Sequence, residues 1–238
     1  MANTFTHPNF WLTATRVAII LLTLMLAIVT YQSNRLLKQI QPEFNLLLSV
    51  PENLVRIGLV GVCLLLAWLS GLPRQQLGLV ITGDPWRQIG IGLSAGLLIQ
   101  IMVNIVMVIA INKLGRHVYS PLVIRNILPR RPVEWVLVPL AFMPAVFMEE
   151  LLFRSLWLGV FNPIMWLALL VVGTSFVFGL MHLPQGFLGA TLAGVVNVLL
   201  SLMFVWTGSF LAPLVAHYTI NISQIVLAHF QRDWLDKY

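Results

Sequence analysis

The chain alternates long apolar runs with short polar connections. Each run is long enough to cross a bilayer as an α-helix, which takes about 20 residues. The short alternating segments typical of a β-barrel are not visible. The pattern therefore predicts an all-α, polytopic transmembrane helical bundle of about seven spans, forming a single membrane-embedded domain over residues 1–238. The predicted spans are Trp11–Tyr31, Leu54–Leu72, Trp86–Ile111, Val133–Phe161, Pro163–Leu183, Phe187–Val205 and Phe210–Phe230.

The composition agrees with this pattern, because 59% of the residues are hydrophobic and only 9% are charged. A soluble domain carries about 25% charged residues. The net charge of +6 comes from residues that separate membrane segments rather than from one water-facing surface. This distribution excludes a nucleic-acid-binding function. We expect a multi-pass integral membrane protein in the lipid bilayer of a prokaryotic plasma membrane.

The connections differ in charge along the chain. Gln32–Asn53 is polar and carries Arg35 and Lys38, Asn112–Pro132 is basic, and the tail carries Arg232 and Lys237. The later connections are short and uncharged, so the last four predicted spans should pack as consecutive neighbours. With seven spans, the basic connections and the tail share one side of the membrane. The positive-inside rule predicts that this side is cytoplasmic.

The fourth predicted span contains three charged residues, Glu149, Glu150 and Arg154. Charged groups are costly at membrane depth and usually face a protein interior or a water-filled cavity. Glu150 and Arg154 are four residues apart with the acid first, which favours a structural ion pair. Glu149 lies about 100° around the helix from Glu150. We therefore expect Glu149 to remain available for chemistry.

Two later spans contribute polar residues near their ends. Phe178 and His182 are four residues apart at the end of the fifth, and His217 and Asn221 share a face of the seventh. A single histidine in a membrane helix is usually a packing residue, but together these groups supply a base, proton carriers and a donor. Upright helices would separate His182 from His217 in depth. We expect a tilt or a proline kink to bring them together.

Glycines and carboxamide side chains in other spans predict contacts between helices. Close packing is expected at glycines in the third span and around the sixth, which are Gly90, Gly92, Gly96, Gly186, Gly189 and Gly194. Gln100 and Asn104, four residues apart, are expected to form interhelical hydrogen bonds.

The three polar motifs occur in the order EExxxR, FxxxH and HxxxN on successive apolar spans. They read Glu149-Glu150-Leu151-Leu152-Phe153-Arg154, Phe178 to His182, and His217 to Asn221. In this the chain resembles the CPBP/ABI family of intramembrane endopeptidases, which includes the type II CAAX prenyl endopeptidases. The resemblance covers residues 144–223.

This resemblance implies an enzyme that hydrolyses peptide bonds of a membrane-associated or lipid-modified protein substrate. Glu149 would activate the attacking water, assisted by His182. His217 and Asn221 would bind the carbonyl oxygen as negative charge develops on it. No cofactor is implied.

Three alternatives remain open. A catalytic zinc could be held by Glu149, His182 and His217 with a water, but the chain has no HExxH pair, so the metal-free mechanism ranks first. A non-enzymatic immunity or partner protein on the same scaffold is less favoured, because it would not need a free carboxylate near two histidines. A proton-coupled transporter would predict inverted repeats, and none is visible.

Overall fold

The computed structural model describes residues 8–37, 39, 42, 44–162 and 166–231, and all regular secondary structure in these residues is helical. Lys38, Pro163, Arg232 and Lys237, which entered the predictions above, lie outside them. The helices are α1 Pro8–Leu37, α2 Val50–Leu69, α3 Pro85–Leu114, α4 Leu122–Ile127, α5 Glu134–Glu150, α6 Gly159–Phe161, α7 Leu167–Met181, α8 Gly186–Thr207 and α9 Leu211–Phe230. Short 3₁₀ turns cover Leu46–Leu48, Arg116–Val118 and Leu183–Gln185.

Among the described residues, six helical stretches are long and apolar enough to cross a membrane. Five correspond to α1, α2, α3, α8 and α9, and the sixth is the continuous stretch from α5 to α6. The shorter α7, with 15 residues, is also apolar. The fold is therefore the predicted all-α polytopic bundle, and the chain is a multi-pass integral membrane protein.

The contact between α3 and α9 shows how α7 should be counted. A Cβ atom on Gly92 would lie 2.7 Å from the Ala212 carbonyl oxygen, and one on Gly96 would lie 2.7 Å from that of Ala216. Both helices advance by four residues between these contacts, so they run in the same direction. Parallel packing requires an odd number of crossings between α3 and α9. The stretch from α5 to α6 and the helix α8 supply two, so α7 must be the third. The predicted bundle of about seven spans agrees with this count, and Gly92 and Gly96 have the predicted packing role.

Glycines also allow α7 and α8 to approach closely. A Cβ atom on Gly194 would lie 3.1 Å from the Ser175 carbonyl oxygen, and one on Gly179 would lie 2.7 Å from that of Ala190. The prediction is wrong for Gly90, where an added Cβ would meet nothing within 4 Å. Gly90 lies two residues before Gly92, on another face of α3, because successive helical residues are about 100° apart.

The connection between α7 and α8 packs against the one that follows α3. Gly186 has a φ of +83°, which glycine adopts without strain, and an added Cβ would lie 2.8 Å from the Val118 carbonyl oxygen. The Ser120 amide donates a hydrogen bond to the Gln185 carbonyl at 2.9 Å. Gly189 packs against the Gln185 side chain of its own turn rather than against another helix, contrary to the prediction.

The sequence had suggested a regular α-helix over the whole fourth span, and the structure departs from this. After α5 the backbone becomes π-helical over Leu151–Leu158 before the last α turn, α6. A π-helical segment is rare and is frequently found at functional sites. Two carbonyls just after this segment accept hydrogen bonds from other parts of the chain. The Gly159 carbonyl accepts from the Gln76 side chain at 3.0 Å, and the Val160 carbonyl accepts from the Arg16 side chain at 3.2 Å. The segment thus lies fixed in the core, immediately after the two glutamates.

Candidate active site

Glu150 lies at the centre of the polar cluster and contacts two basic groups. Its Oε2 atom is 3.2 Å from Nε of Arg154, and its Oε1 atom accepts a hydrogen bond from Nδ1 of His217 at 2.7 Å. The side chains of Glu150 and Arg154 are 0% exposed. The spacing within the span predicted only the contact with Arg154. The bond to His217 shows that Glu150 also orients an imidazole on α9.

Glu149 occupies a different environment from its neighbour. Its side chain is 25% exposed, and its Oε2 atom lies 3.5 Å from Nε2 of His217. No lysine or arginine forms an ion pair with Glu149 within the described part of the chain. The two adjacent carboxylates therefore differ in their partners: both contact His217, but only Glu150 forms an ion pair with Arg154.

The two carboxylates fix how His217 can carry protons. A carboxylate accepts hydrogen bonds, so Nδ1 of His217 carries a hydrogen towards Glu150. Nε2 then faces the Glu149 carboxylate, and the contact is attractive when a proton lies on either group.

His182 follows the last residue of α7, and its ring is held by Phe178. Nδ1 of His182 donates to the Phe178 carbonyl at 2.8 Å, which leaves Nε2 of the neutral ring as an acceptor. The Phe178 ring stacks on His182 with centroids 4.4 Å apart and lies edge-on to His217 at 6.1 Å. Phe178 therefore lies between the two imidazoles.

The two imidazoles meet at one cavity, which lies at the end of the short helix α7. Its 15 residues rise about 22 Å, less than the ~30 Å hydrocarbon layer. His182, at the end of this helix, and His217 line the same cavity. The sequence had suggested that a tilt or a proline kink brings the imidazoles together, and the structure shows that they share one cavity.

The shared cavity has a volume of about 80 Å³. Asn221 lines it, and the Asn221 side chain forms no hydrogen bond with any residue the structure describes. Glu149 is not part of the wall, and within the described ranges no hydrogen bond or ion pair joins it to His182 or Asn221. The structure thus brings Glu149 to His217, and His217 to the cavity. The amide and imidazole side chains of the wall are Gln100, His182, Gln185, His217, Asn221 and Gln224.

The sequence analysis did not identify the glutamines of this wall as cavity residues. Gln100 was expected to bond to another helix together with Asn104, but neither side chain forms a hydrogen bond within the described residues, so that prediction is wrong. Gln100 instead faces the cavity. The position of Gln224 could have been recognised, because His217, Asn221 and Gln224 follow the i, i+4, i+7 spacing of one helix face.

The residues of the zinc alternative do not form a ligand set in the described part of the chain. No group of three histidine, cysteine, aspartate or glutamate side chains there lies close enough to hold a metal ion. Nδ1 of His217 and Nδ1 of His182 are both engaged in hydrogen bonds. Each ring therefore has only Nε2 available to a further partner.

The helical bundle defines a polytopic membrane protein, with two imidazoles that line a small cavity and two carboxylates that contact one of these imidazoles. Residues 131–223 match a family model described as "Type II CAAX prenyl endopeptidase Rce1-like". The chain thus carries an Rce1-like domain of the type II CAAX prenyl endopeptidase family, which confirms the resemblance seen in the motifs. The family implies an intramembrane protease. No curated protein and no solved structure matches the chain.

Proposed function

We propose that the protein is an intramembrane endopeptidase that cleaves a membrane-associated or lipid-modified protein substrate with a water activated by Glu149. The observation that carries this proposal is the position of Glu149, which forms no ion pair with a lysine or arginine among the described residues and lies 3.5 Å from His217. A carboxylate that no arginine or lysine holds in an ion pair can act as a general base and accept a proton from water. The family domain supports the reaction class and a protein substrate, and its name points to a prenylated one.

The proposed reaction begins with a water between Glu149 and the cavity. Glu149 takes a proton from this water, with Nε2 of His182 as a further acceptor, while the water oxygen bonds to the substrate carbonyl carbon. The carbon–nitrogen bond then breaks, and the proton held by Glu149 passes to the leaving nitrogen. The products are a carboxylate and an amine.

The developing oxyanion would be bound by His217 and Asn221. Nε2 of His217 can donate only when the ring is protonated, because Nδ1 already donates to Glu150. Glu150 orients the ring by accepting a hydrogen bond from Nδ1, and Arg154 lies 3.2 Å from the other Glu150 oxygen. Prepositioned donors of this kind commonly contribute about 3–4 kcal/mol to catalysis. Glu150 is therefore a positioning residue in this scheme.

The walls of the cavity support access from the side of the basic connection. Tyr119 follows α3 and Gln185 follows α7, and both line the cavity. In a bundle with seven crossings these two connections lie on the same side, and the Ser120–Gln185 hydrogen bond joins them. The Asn112–Pro132 connection is basic, so the positive-inside rule makes this side cytoplasmic.

The direct test uses the purified protein in liposomes with a fluorogenic peptide that ends in a farnesylated CAAX sequence. We expect cleavage at one peptide bond, with products whose summed mass exceeds the substrate by one water in mass spectrometry. The same peptide without the farnesyl group shows whether the lipid is required. If folded protein leaves both peptides intact, the proposal is wrong.

A zinc-dependent version of the same hydrolysis is tested by metal analysis and chelation. We expect the metal-depleted protein to retain its turnover, because no three candidate ligands converge in the described residues. Stoichiometric zinc, with activity lost on chelation and restored by zinc, would replace the glutamate mechanism with a metal mechanism.

The non-enzymatic alternative is tested in cells. If a Glu149→Gln protein fully restored the phenotype of a deletion strain, the protein would act as an immunity or partner protein rather than as an enzyme. We expect no restoration.

A further inference from the structure

We propose that Gln100 and Gln224 bind the backbone of the substrate next to the peptide bond that is cleaved. This inference rests on the proposed function and adds two binding residues to it. Both lie outside residues 131–223, the part that matches the family model. Neither belongs to the three motifs.

Gln100 is the first observation behind the proposal. It lies near the middle of α3, is only 4% exposed, and lines the cavity. Its side chain forms no hydrogen bond with the residues that the structure describes. A carboxamide offers two donor hydrogens and an acceptor oxygen, and such groups are costly without partners at membrane depth. An unpaired carboxamide in this position is typical of a ligand-binding group.

The packing of α3 on α9 places Gln100 close to a second carboxamide. Gly96 contacts Ala216, and the helices run parallel, so Gln100 lies beside the turn from Asn221 to Gln224. Gln224 lies about 4.5 Å further along α9 than Asn221. An extended peptide advances about 3.3 Å per residue. When the scissile carbonyl lies at Asn221, the next peptide unit therefore reaches the two glutamines.

The chemistry of the cavity favours a neutral peptide backbone as its occupant. The described wall contains carboxamides and imidazoles and no carboxylate, lysine or arginine, so beyond the two imidazoles it offers an occupant only neutral groups. A peptide unit carries one N–H donor and one carbonyl acceptor, and a carboxamide can pair with both. Backbone that enters a membrane must replace the hydrogen bonds it made to water. Gln100 and Gln224 can supply these replacements.

The first test compares Gln100→Leu and Gln224→Leu with Asn104→Leu. Asn104 lies one turn beyond Gln100 on α3, is half-buried, and does not line the cavity. With the farnesylated CAAX peptide as substrate, we expect each glutamine variant to raise KM about tenfold with little change in kcat. Asn104→Leu should match the wild type, and thermal unfolding of all three variants should confirm that they are folded.

The second test changes the substrate instead of the enzyme. In one probe peptide, the amide next to the scissile bond is replaced by an ester, which removes an N–H donor. We expect the wild type to cleave this probe about tenfold less efficiently than the amide peptide. At least one glutamine variant should cleave the ester and amide peptides equally well, because the side chain that accepts the N–H hydrogen bond is absent from that variant. Full discrimination in both variants would overturn the inference, as would KM values equal to those of Asn104→Leu.

A binding measurement separates this inference from the proposed function. In a Glu149→Gln background, fluorescence anisotropy of the labelled peptide should show a Kd about tenfold higher after Gln100→Leu or Gln224→Leu. Glutamine-dependent binding without cleavage by the wild type would support the binding residues and contradict the protease function. Cleavage by the wild type with no effect of the glutamine variants on binding would support the protease function and contradict the binding residues. If the peptide is neither bound nor cleaved, both are wrong.

Discussion

The described residues contain two glutamate–arginine pairs with the same spacing and order, one in α2 and one where α5 passes into the π-helical segment. In α2, Nη2 of Arg56 is 2.8 Å from Oε2 of Glu52, and the two side chains are 22% and 46% exposed. In the fourth span, Arg154 and Glu150 are separated by 3.2 Å and are both 0% exposed. Only the buried pair has a second carboxylate beside it and an imidazole in contact.

The difference between the pairs lies in burial rather than in spacing. An exposed pair contributes at most about 1 kcal/mol, because water screens both charges. A buried charge that loses its partner costs about 3–5 kcal/mol. The buried pair also fixes the carboxylate that orients His217. The same sequence pattern thus forms a surface contact in one region and supports a candidate active site in the other.

The largest effect on stability is expected from removing one member of the buried pair. Arg154→Ala leaves Glu150 without its cation and should lower the free energy of unfolding by about 3–5 kcal/mol. Arg56→Ala should lower it by at most about 1 kcal/mol. Equilibrium unfolding in mixed detergent micelles measures both values. Similar losses in the two variants would contradict the distinction between the pairs.

Removing both members of a pair separates stability from activity. Glu150→Leu combined with Arg154→Met replaces two buried charges by apolar groups and should return stability to within about 2 kcal/mol of the wild type. His217 then has no acceptor for Nδ1, so kcat/KM should fall by at least about tenfold. The matched double variant, Glu52→Leu with Arg56→Met, should retain its activity. Normal activity in the buried double variant would show that Glu150 has no positioning role.

The smallest effect on stability is expected from removing a neutral hydrogen bond between α5 and α9. The Tyr218 hydroxyl donates to the Pro139 carbonyl at 3.1 Å and joins α9 to α5 beside His217. Tyr218→Phe should lower the free energy of unfolding by about 0.6 kcal/mol, as for interhelical bonds in membranes. Tyr31→Phe, at an exposed ring, is the control and should have no effect. If Tyr218→Phe lowered the free energy of unfolding as much as Arg154→Ala does, the large effect at the buried pair could not be attributed to its charges.

The spans could be predicted because lipid requires every backbone polar group to be satisfied within a helix, so long apolar runs have few alternatives. The contact of Glu150 with Arg154 followed from the helical period. The bond from Glu150 to His217 could not be predicted in this way, because it joins helices far apart in the sequence. The role of Gln100 depends on which helix packs beside α3. The π-helical segment has no hydrophobic period that distinguishes it from an α-helix.

The central claim is that Glu149, and not its paired neighbour, activates the water. The most direct measurement is kcat/KM for the farnesylated CAAX peptide with wild type, Glu149→Gln and Glu52→Gln in liposomes of the same composition. Loss of a general base should lower kcat/KM about a thousandfold in Glu149→Gln. Its stability should stay near that of the wild type, and Glu52→Gln should remain fully active. Cleavage by folded Glu149→Gln protein at the wild-type rate would contradict the account.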